Sequence, residues 1–301
     1  MLTTEVTLDA VREFWSSHPC DSDRSVAGDM KRYFEEIEHW RYAEHPSIIG
    51  AARFTDFAGA DVLEIGCGVG TDGRQFMRAG ANYIGINLDA GSTALANEAI
   101  RTFGLKGQVL QMNGEQLGFP DRSFDHVYIM GVLMATPHPE SMLSEALRVL
   151  RPGGSICAMV YNRSSVNYRI EILGLRRFLR YFLVLPGVVP LMARAGFSRE
   201  LLCKHRDLVL RQPWMSTDEW VNLNTDGPEC PLSGVYDALD VHRLFSDAGF
   251  VKIETFVRFL NRHHYGALGR LLSDRLAEKL GSRWGWHRWV WARKPALDDG
   301  D

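Results

Sequence analysis

Val62-Leu63-Glu64-Ile65-Gly66-Cys67-Gly68-Val69-Gly70 decides how this chain is read. A short apolar run stops at three glycines spaced two apart, and Asp72 to Ala79 then takes up helical spacing. Glycine tolerates positive φ and has no Cβ, so such a turn bends sharply and lets a ligand come close to the backbone. The spacing predicts a strand, a tight loop and a helix whose N-terminus faces a bound group.

The same alternation continues outward. Tyr83–Asn87, Gln108–Met112, Phe124–Met130 and Ser155–Val160 are apolar runs of strand length. Asp72–Ala79, Gly91–Phe103 and Pro139–Leu150 separate them with helical periodicity. Strands alternating with helices predict a parallel sheet with right-handed crossovers, and near-continuous apolar strands predict a sheet covered on both faces. The fold class is therefore α/β, a Rossmann-like doubly wound sheet. Before it, Leu8–Ser16 and Lys31–Tyr42 read as helices around a polar loop, Pro19–Gly28, and Pro46 opens a further helix, Ser47–Phe57. After it, Arg169–Phe182 reads as a basic amphipathic helix, Leu239–Ala248 as a helix, and Phe250–Phe259 and Trp289–Arg293 as strands. The divisions that follow are 1–58, 59–165, 166–240 and 241–301.

Composition narrows the function. The 301 residues are 46% hydrophobic and 24% charged, enough for a large core and incompatible with disorder as the main state. A net charge of −3 gives no nucleic-acid footprint. The apolar run Tyr181–Met192 is broken by Pro186, Gly187 and Pro190 and is too short to span a bilayer, so stable membrane insertion is not expected. The N-terminus shows no basic and apolar signal pattern. Five scattered cysteines without a CxxC pair argue against a disulfide framework or a zinc site and fit a cytoplasmic location, and no metal is expected.

Two nucleotide readings compete for the loop. Gly68-Val69-Gly70-Thr71-Asp72-Gly73 satisfies the GxGxxG of nicotinamide enzymes. In the register that starts directly after the strand, at Gly66, the third glycine is replaced by Thr71. Glu64 inside the strand is also misplaced for a pyrophosphate and suits a ligand bearing a cation.

Glu64, Gly66, Gly68 and Gly70 form an acid-x-G-x-G-x-G motif that resembles the class I S-adenosylmethionine-dependent methyltransferases, in particular the small-molecule, type 11-like members. Leu117–Asp125 resembles the family's LPF-x-D-x-SFD stretch, Gly131-Val132-Leu133 its GVLHH turn, and Glu145–Gly154 its E-x-x-RVL-K/R-PGG segment. The likeness runs over about a third of the chain. It implies an N-terminal helical lid (1–58), an S-adenosyl-L-methionine-binding core (59–165), a cap or specificity insertion after the fifth strand (166–240) and C-terminal strands completing the sheet (241–301).

Position by position, the resemblance places Glu64, Gly66, Cys67, Gly68 and Gly70 at the methionine end of the cofactor. It places Asn87 and Leu88 at the ribose, Asn113, Gly114 and Glu115 at the adenine, and Met130 and Gly131 near the sulfonium. Two usual acids are Asn here, at 87 and 113; an amide still accepts a hydrogen bond but without charge assistance. Asn87 is expected to hold the ribose, with Asp89 the alternative. Met134-Ala135 replaces the family's frequent His-His.

Methyl transfer needs alignment more than a fixed catalytic signature, and a base only when the acceptor carries a proton. His263, His264 and Tyr161 are the catalytic candidates, the histidines because they titrate near neutrality. Tyr33, Tyr42, Met134, Asn162, Asp226 and Tyr236 are the substrate-binding candidates, and His287 among its tryptophans reads as structural. The basic stretch Arg169–Arg180 has three readings: a cap over the site, a homodimer surface, or a membrane-surface helix near a lipid substrate. The apolar run behind it, Phe182–Met192, reads equally as an acceptor tunnel or as packing. The leading function is methyl transfer to the O, N or C of a small molecule. A tRNA or protein methyltransferase, a non-catalytic cofactor-binding protein and a nicotinamide oxidoreductase are the alternatives.

Overall fold

A computed structural model describes residues 6–25, 28–226, 230–260 and 272–296. Eight strands form one sheet: β1 (Asp61–Ile65), β2 (Asn82–Asn87), β3 (Gly107–Gln111), β4 (Phe124–Met130), β5 (Leu150–Asn162), β6 (Val235–Tyr236), β7 (Val251–Arg258) and β8 (His287–Arg293). Their order is β3-β2-β1-β4-β5-β8-β7, with the two-residue β6 added to the end of β5. β1 pairs in parallel with both β2 and β4, so strand order reverses there, and the crevice beyond those strand ends is where an open α/β sheet takes its ligand. β8 runs antiparallel to both β5 and β7, which lets the C-terminal segment close that edge without further crossovers.

Alternation within the strands builds the two cores. Leu63 and Ile65 face one side with Val127, Ile129, Ile156 and Ala158. There they meet Met142, Leu143 and Ala146 of α6 (Pro139–Val149) and Val241 and Phe245 of α11 (Ala238–Asp247). Val62, Tyr83, Tyr128, Cys157 and Trp289 face the other side. They pack on α3 (Ser47–Ala52), α4 (Thr71–Arg78) and α5 (Ala90–Thr102). Glu64 shares the parity of Val62, which carries its carboxylate under α4.

The N-terminal segment contains α1 (Leu8–Ser17) and α2 (Met30–Glu44), both capped by side-chain oxygens, of Thr7 and Asp29. The helix expected over Ser47–Phe57 breaks at Arg53, whose φ of 53° ends α3, and Phe54–Phe57 forms a 3₁₀ turn.

After β5 the expected single helix is instead a π-helix (Asn167–Arg176) that runs into the short α7 (Arg177–Leu179) and a 3₁₀ turn (Arg180–Val184). α8 (Val188–Arg194), α9 (Arg199–Arg211) and α10 (Thr217–Thr225) follow, and α12 (Asp274–Trp284) precedes β8. This cap holds two small cores of its own, Ile172 with Met215, Trp220 and Val221, and Leu183 with Val189 and Leu202. Phe182, Val184, Leu185 and Leu191 of the predicted tunnel are exposed. Among the described residues no helix is long and apolar enough to cross a membrane.

Candidate functional site

A cavity of about 770 Å³ opens at the ends of β1, β2 and β4 and continues beneath the N-terminal helices to the cap. Ligand sites typically span ~300–1,000 Å³. Its floor is the glycine turn. Gly66 has φ +74°, and a Cβ there would lie 2.4 Å from Val132 Cγ2. Gly68 has φ +54°, with Cys20 of the N-terminal segment directly above it. Neither position accommodates a larger residue without strain, so the loop leaves its backbone open to a ligand.

Glu64 is buried beside this loop, and its Oε2 accepts a 2.6 Å hydrogen bond from Tyr83 Oη. Burial, reinforced by the negative charge of Asp72, pushes its carboxyl up to about 8, against the pull of Tyr83 and Arg41. Such an acid gains by meeting a cation. Thr71 opens α4 on the cavity wall, and its buried hydroxyl has no partner among the described residues. An unclaimed hydroxyl, an uncompensated acid and open loop backbone fit the methionine end of an adenosyl sulfonium.

Asn87, expected at the ribose, bonds the glycine loop through both ends of its amide. Asn87 Oδ1 accepts from Gly68 N–H at 2.9 Å and its Nδ2 donates to Gly68 C=O at 2.9 Å. Both ends of the amide thus serve the loop, which is why an amide rather than a carboxylate stands here. Asp89, on the cavity wall, caps α5 through Oδ1 to Ser92 N–H at 2.7 Å. Its second oxygen makes no hydrogen bond among the described residues. Asn113 Oδ1 closes its own turn onto Glu115 N–H at 2.9 Å. Gly66, Cys67, Gly68, Leu88, Asn113, Gly114, Met130 and Gly131 line the cavity with Glu64 and Asn87. Gly70 and Glu115 do not. Gly70 packs on Ala96, and Glu115 accepts from Thr136 Oγ and from His138 N–H.

A charged clamp closes the roof. Arg41 of α2 grips Asp72 of α4 through Nε at 3.0 Å and Nη2 at 2.8 Å, and reaches Asp21 at 2.8 Å. Tyr42 and Tyr128 donate to the same Asp72 at 2.9 and 3.0 Å. Burial pushes Asp72 up, but Arg41 and the two phenols more than offset it and hold the carboxyl below its ordinary range.

The far half of the cavity is lined by Phe14, Trp15, Trp40, Trp286 and His287, with Asp226 on the cap side. Tyr161 donates to Asp226 Oδ1 at 2.5 Å and stacks on Trp286. Ser233 donates to Oδ2 at 2.9 Å. Burial raises the Asp226 carboxyl, and burial beside Asp226 raises the Tyr161 phenol, so Tyr161 keeps its proton and positions the acid.

The other substrate candidates stand off the cavity. Tyr33 ties down the Ser22 carbonyl, and Tyr42 belongs to the clamp. Met134 is buried in the core, Asn162 bonds Gly285 and Arg288, and Tyr236 reaches the Leu133 carbonyl. His263 and His264 lie outside the described residues. His287, which the sequence reads as structural, lines the cavity with a buried Nδ1 that has no partner among the described residues. Burial, with His45 and Arg41 nearby, holds it well below the usual histidine range, so its ring is neutral. Its only sequence signal was its place among the tryptophans 284, 286 and 289.

Residues 63–158 match the family described as methyltransferase domain. The chain is 38% identical over 99 residues to a sterol 24-C-methyltransferase of Yarrowia lipolytica, covering 32% of this chain and 26% of that protein. It is 32% identical over 127 residues to a ubiquinone biosynthesis O-methyltransferase of Methylococcus capsulatus, covering 42% and 54%. The match therefore spans between a quarter and about half of these relatives' own lengths. Magnesium protoporphyrin IX methyltransferase of Synechocystis PCC 6803, solved with bound SAH, shares the fold with a TM-score of 0.53, at 14% identity over 95% of this chain and 98% of that one.

Proposed function

We propose that the chain transfers a methyl group from S-adenosyl-L-methionine to a small-molecule acceptor, a reading supported by the match of residues 63–158 to the methyltransferase domain family and by the class I methyltransferase fold of the sheet. One observation carries this reading: a single cavity runs from the glycine turn and Glu64 to the aromatic walls and Asp226. Donor and acceptor chambers share one space, as an in-line displacement requires.

When bound, the cofactor supplies a methyl group on a sulfonium, already activated for displacement. Glu64, Thr71 and the glycine-loop backbone would hold its methionine end, Asp89 its ribose and Asn113 and Gly114 its adenine. Trp15, Trp40 and Trp286 exclude water and offer ring faces to an acceptor and to positive charge. His287, held neutral, accepts a hydrogen bond from an acceptor hydroxyl or amine at Nδ1, and Tyr161 and Ser233 keep Asp226 aimed into the chamber. In this reading residues 1–58 act as lid, 59–165 bind the cofactor, 166–240 hold the acceptor and 241–301 complete the sheet. Five free cysteines support a cytoplasmic location.

Calorimetric titration with S-adenosylhomocysteine, followed by incubation of an extract with methyl-labelled cofactor, tests this. Binding with label in small molecules is expected. Binding without transfer, label in RNA or protein, or uptake of a reduced nicotinamide nucleotide instead would each overturn it.

A further inference from the structure

The cap carries a surface the cofactor site does not explain. Thirteen of the eighteen exposed large apolar side chains among the described residues fall between Ile170 and Trp214. Phe178 is 64% exposed, Leu191 66% and Trp214 87%. Phe178 and Phe182 form an exposed edge-to-face pair at 5.4 Å. A folded chain rarely exposes so many apolar side chains in one segment unless something covers them.

Charge on the same segment says what. Residues 167–214 hold nine Lys and Arg against three Asp and Glu, a local charge of +6 in a chain of total −3, leaving −9 elsewhere. Arg169, Arg194, Arg199 and Arg211 are exposed and form no ion pair among the described residues. Arg180 is buried, and Arg176, Arg177 and Arg180 tie the segment together through Glu171, Met215 and Pro213. Exposed aromatics and leucines interleaved with free arginines match the interfacial zone of an anionic bilayer, where apolar side chains enter the acyl boundary and guanidinium groups meet lipid phosphates. A second copy fits poorly, because a two-fold contact through this face would set +6 against +6. The acidic remainder of the molecule would orient the docked protein with this face down.

We propose that the cap segment 167–214 docks the protein on the surface of an anionic lipid bilayer. Asn167 and Arg176, from the same segment, and Asn224 and Thr225 of the adjoining helix line the cavity, so docking sets the acceptor chamber against the membrane. The surface stands independently of catalysis. Only its corollary, that the acceptor is a bilayer-soluble molecule, rests on the methyl-transfer reading.

Flotation of the full chain with phosphatidylglycerol–phosphatidylcholine vesicles tests the docking, with S-adenosylhomocysteine binding measured alongside. The protein should float with anionic vesicles, bind pure phosphatidylcholine at least about tenfold more weakly, and be released by salt. F178S/F182S and R194E/R199E, all at exposed positions, should each lose vesicle binding by about tenfold or more while cofactor-product binding is unchanged. A parent protein that stays in solution, or binds both vesicle types equally at any salt, overturns the proposal. So does a dimer that F178S/F182S converts to monomer without any vesicle binding. Loss of S-adenosylhomocysteine binding by the parent would overturn the methyl-transfer reading and leave the docking result standing.

Discussion

Glu64 and Asn87 show how two side chains at adjacent strand ends divide the work of one loop. The free Glu64 carboxyl titrates near 8, and a bound ammonium group favours its ionised form, so its pKa falls on binding. Binding at pH 7 therefore releases close to one proton. Affinity for S-adenosylhomocysteine should climb by up to about tenfold per pH unit below 8 and level off above it. Calorimetry at pH 7 in two buffers of different ionisation enthalpy reads the proton directly; a pH-independent affinity with no proton release would refute the assignment. E64Q should abolish the pH dependence and weaken binding. It should also gain stability relative to the parent as pH rises from about 5 to 8, because the raised carboxyl costs the folded parent stability over that window. Asn87 predicts differently from its family position. N87D would turn a carboxylate oxygen toward the Gly68 carbonyl in place of a donor, so it should weaken cofactor-product binding about tenfold or more rather than restore a missing acid. Binding equal to the parent would show that the amide's contacts are dispensable. The identity of the loop was legible because glycine spacing and an in-strand acid are local signals. The use of both amide ends by Gly68 was not, because it depends on where β2 stops relative to the turn.

The N-terminal helices meet the sheet through α2 and α4, which are joined by the Arg41–Asp72 clamp and by Glu38, whose carboxylate accepts from Arg74, Gln75 and Arg78. Arg41 sits with 14% of its side chain exposed and Asp72 with 1%, so the pair is mostly dry. Removing one partner strands the other as an uncompensated charge. R41A should cost roughly 3 kcal/mol of stability, read from the denaturant midpoint, and should open residues 8–44 to protease. A double-mutant cycle with D72N should show strong coupling, since the two share one hydrogen-bond network. A loss below about 1 kcal/mol with no new cleavage would mean that apolar packing and the Glu38 bonds to Arg74, Gln75 and Arg78 seat these helices without the clamp. At this scale the reading from sequence was uneven. β4 matches its predicted bounds, Phe124–Met130, because its apolar run ends at Gly131. The helix expected after Pro46 broke at Arg53, and the one expected at Arg169 became a π-helix, because both deviations answer tertiary contacts. Trp291 Nε1 donates to the Ala51 carbonyl, and Trp220 Nε1 to the Ile172 carbonyl, at 3.0 and 2.7 Å. Neither partner is near in sequence, so no periodicity announces it.

Across the whole molecule, stability is distributed unevenly between a large two-faced sheet and a cap with two small cores. The sheet buries a large apolar cluster on each face, whereas the Trp220 cluster has four buried members and the Leu183 cluster three. The cap should therefore open at a lower free energy than the sheet. Trp220 is the place to test this, being 1% exposed and holding the π-helix through its indole N–H. W220A removes the largest side chain of that cluster and should destabilise the cap by about 3–5 kcal/mol, enough to unfold it locally. If donor and acceptor chambers are built by different parts of the chain, the consequences split. S-adenosylhomocysteine binding, which the proposed function places on the glycine turn, Glu64 and Asp89, should stay within about threefold of the parent. Methyl transfer should be lost, since Asp226 and the acceptor wall depend on α10, and amide exchange should quicken across 167–225 while β1 to β5 stay protected. Joint loss of cofactor-product binding and sheet protection would show one cooperative unit, and full retained transfer would show that the acceptor chamber does not need the cap.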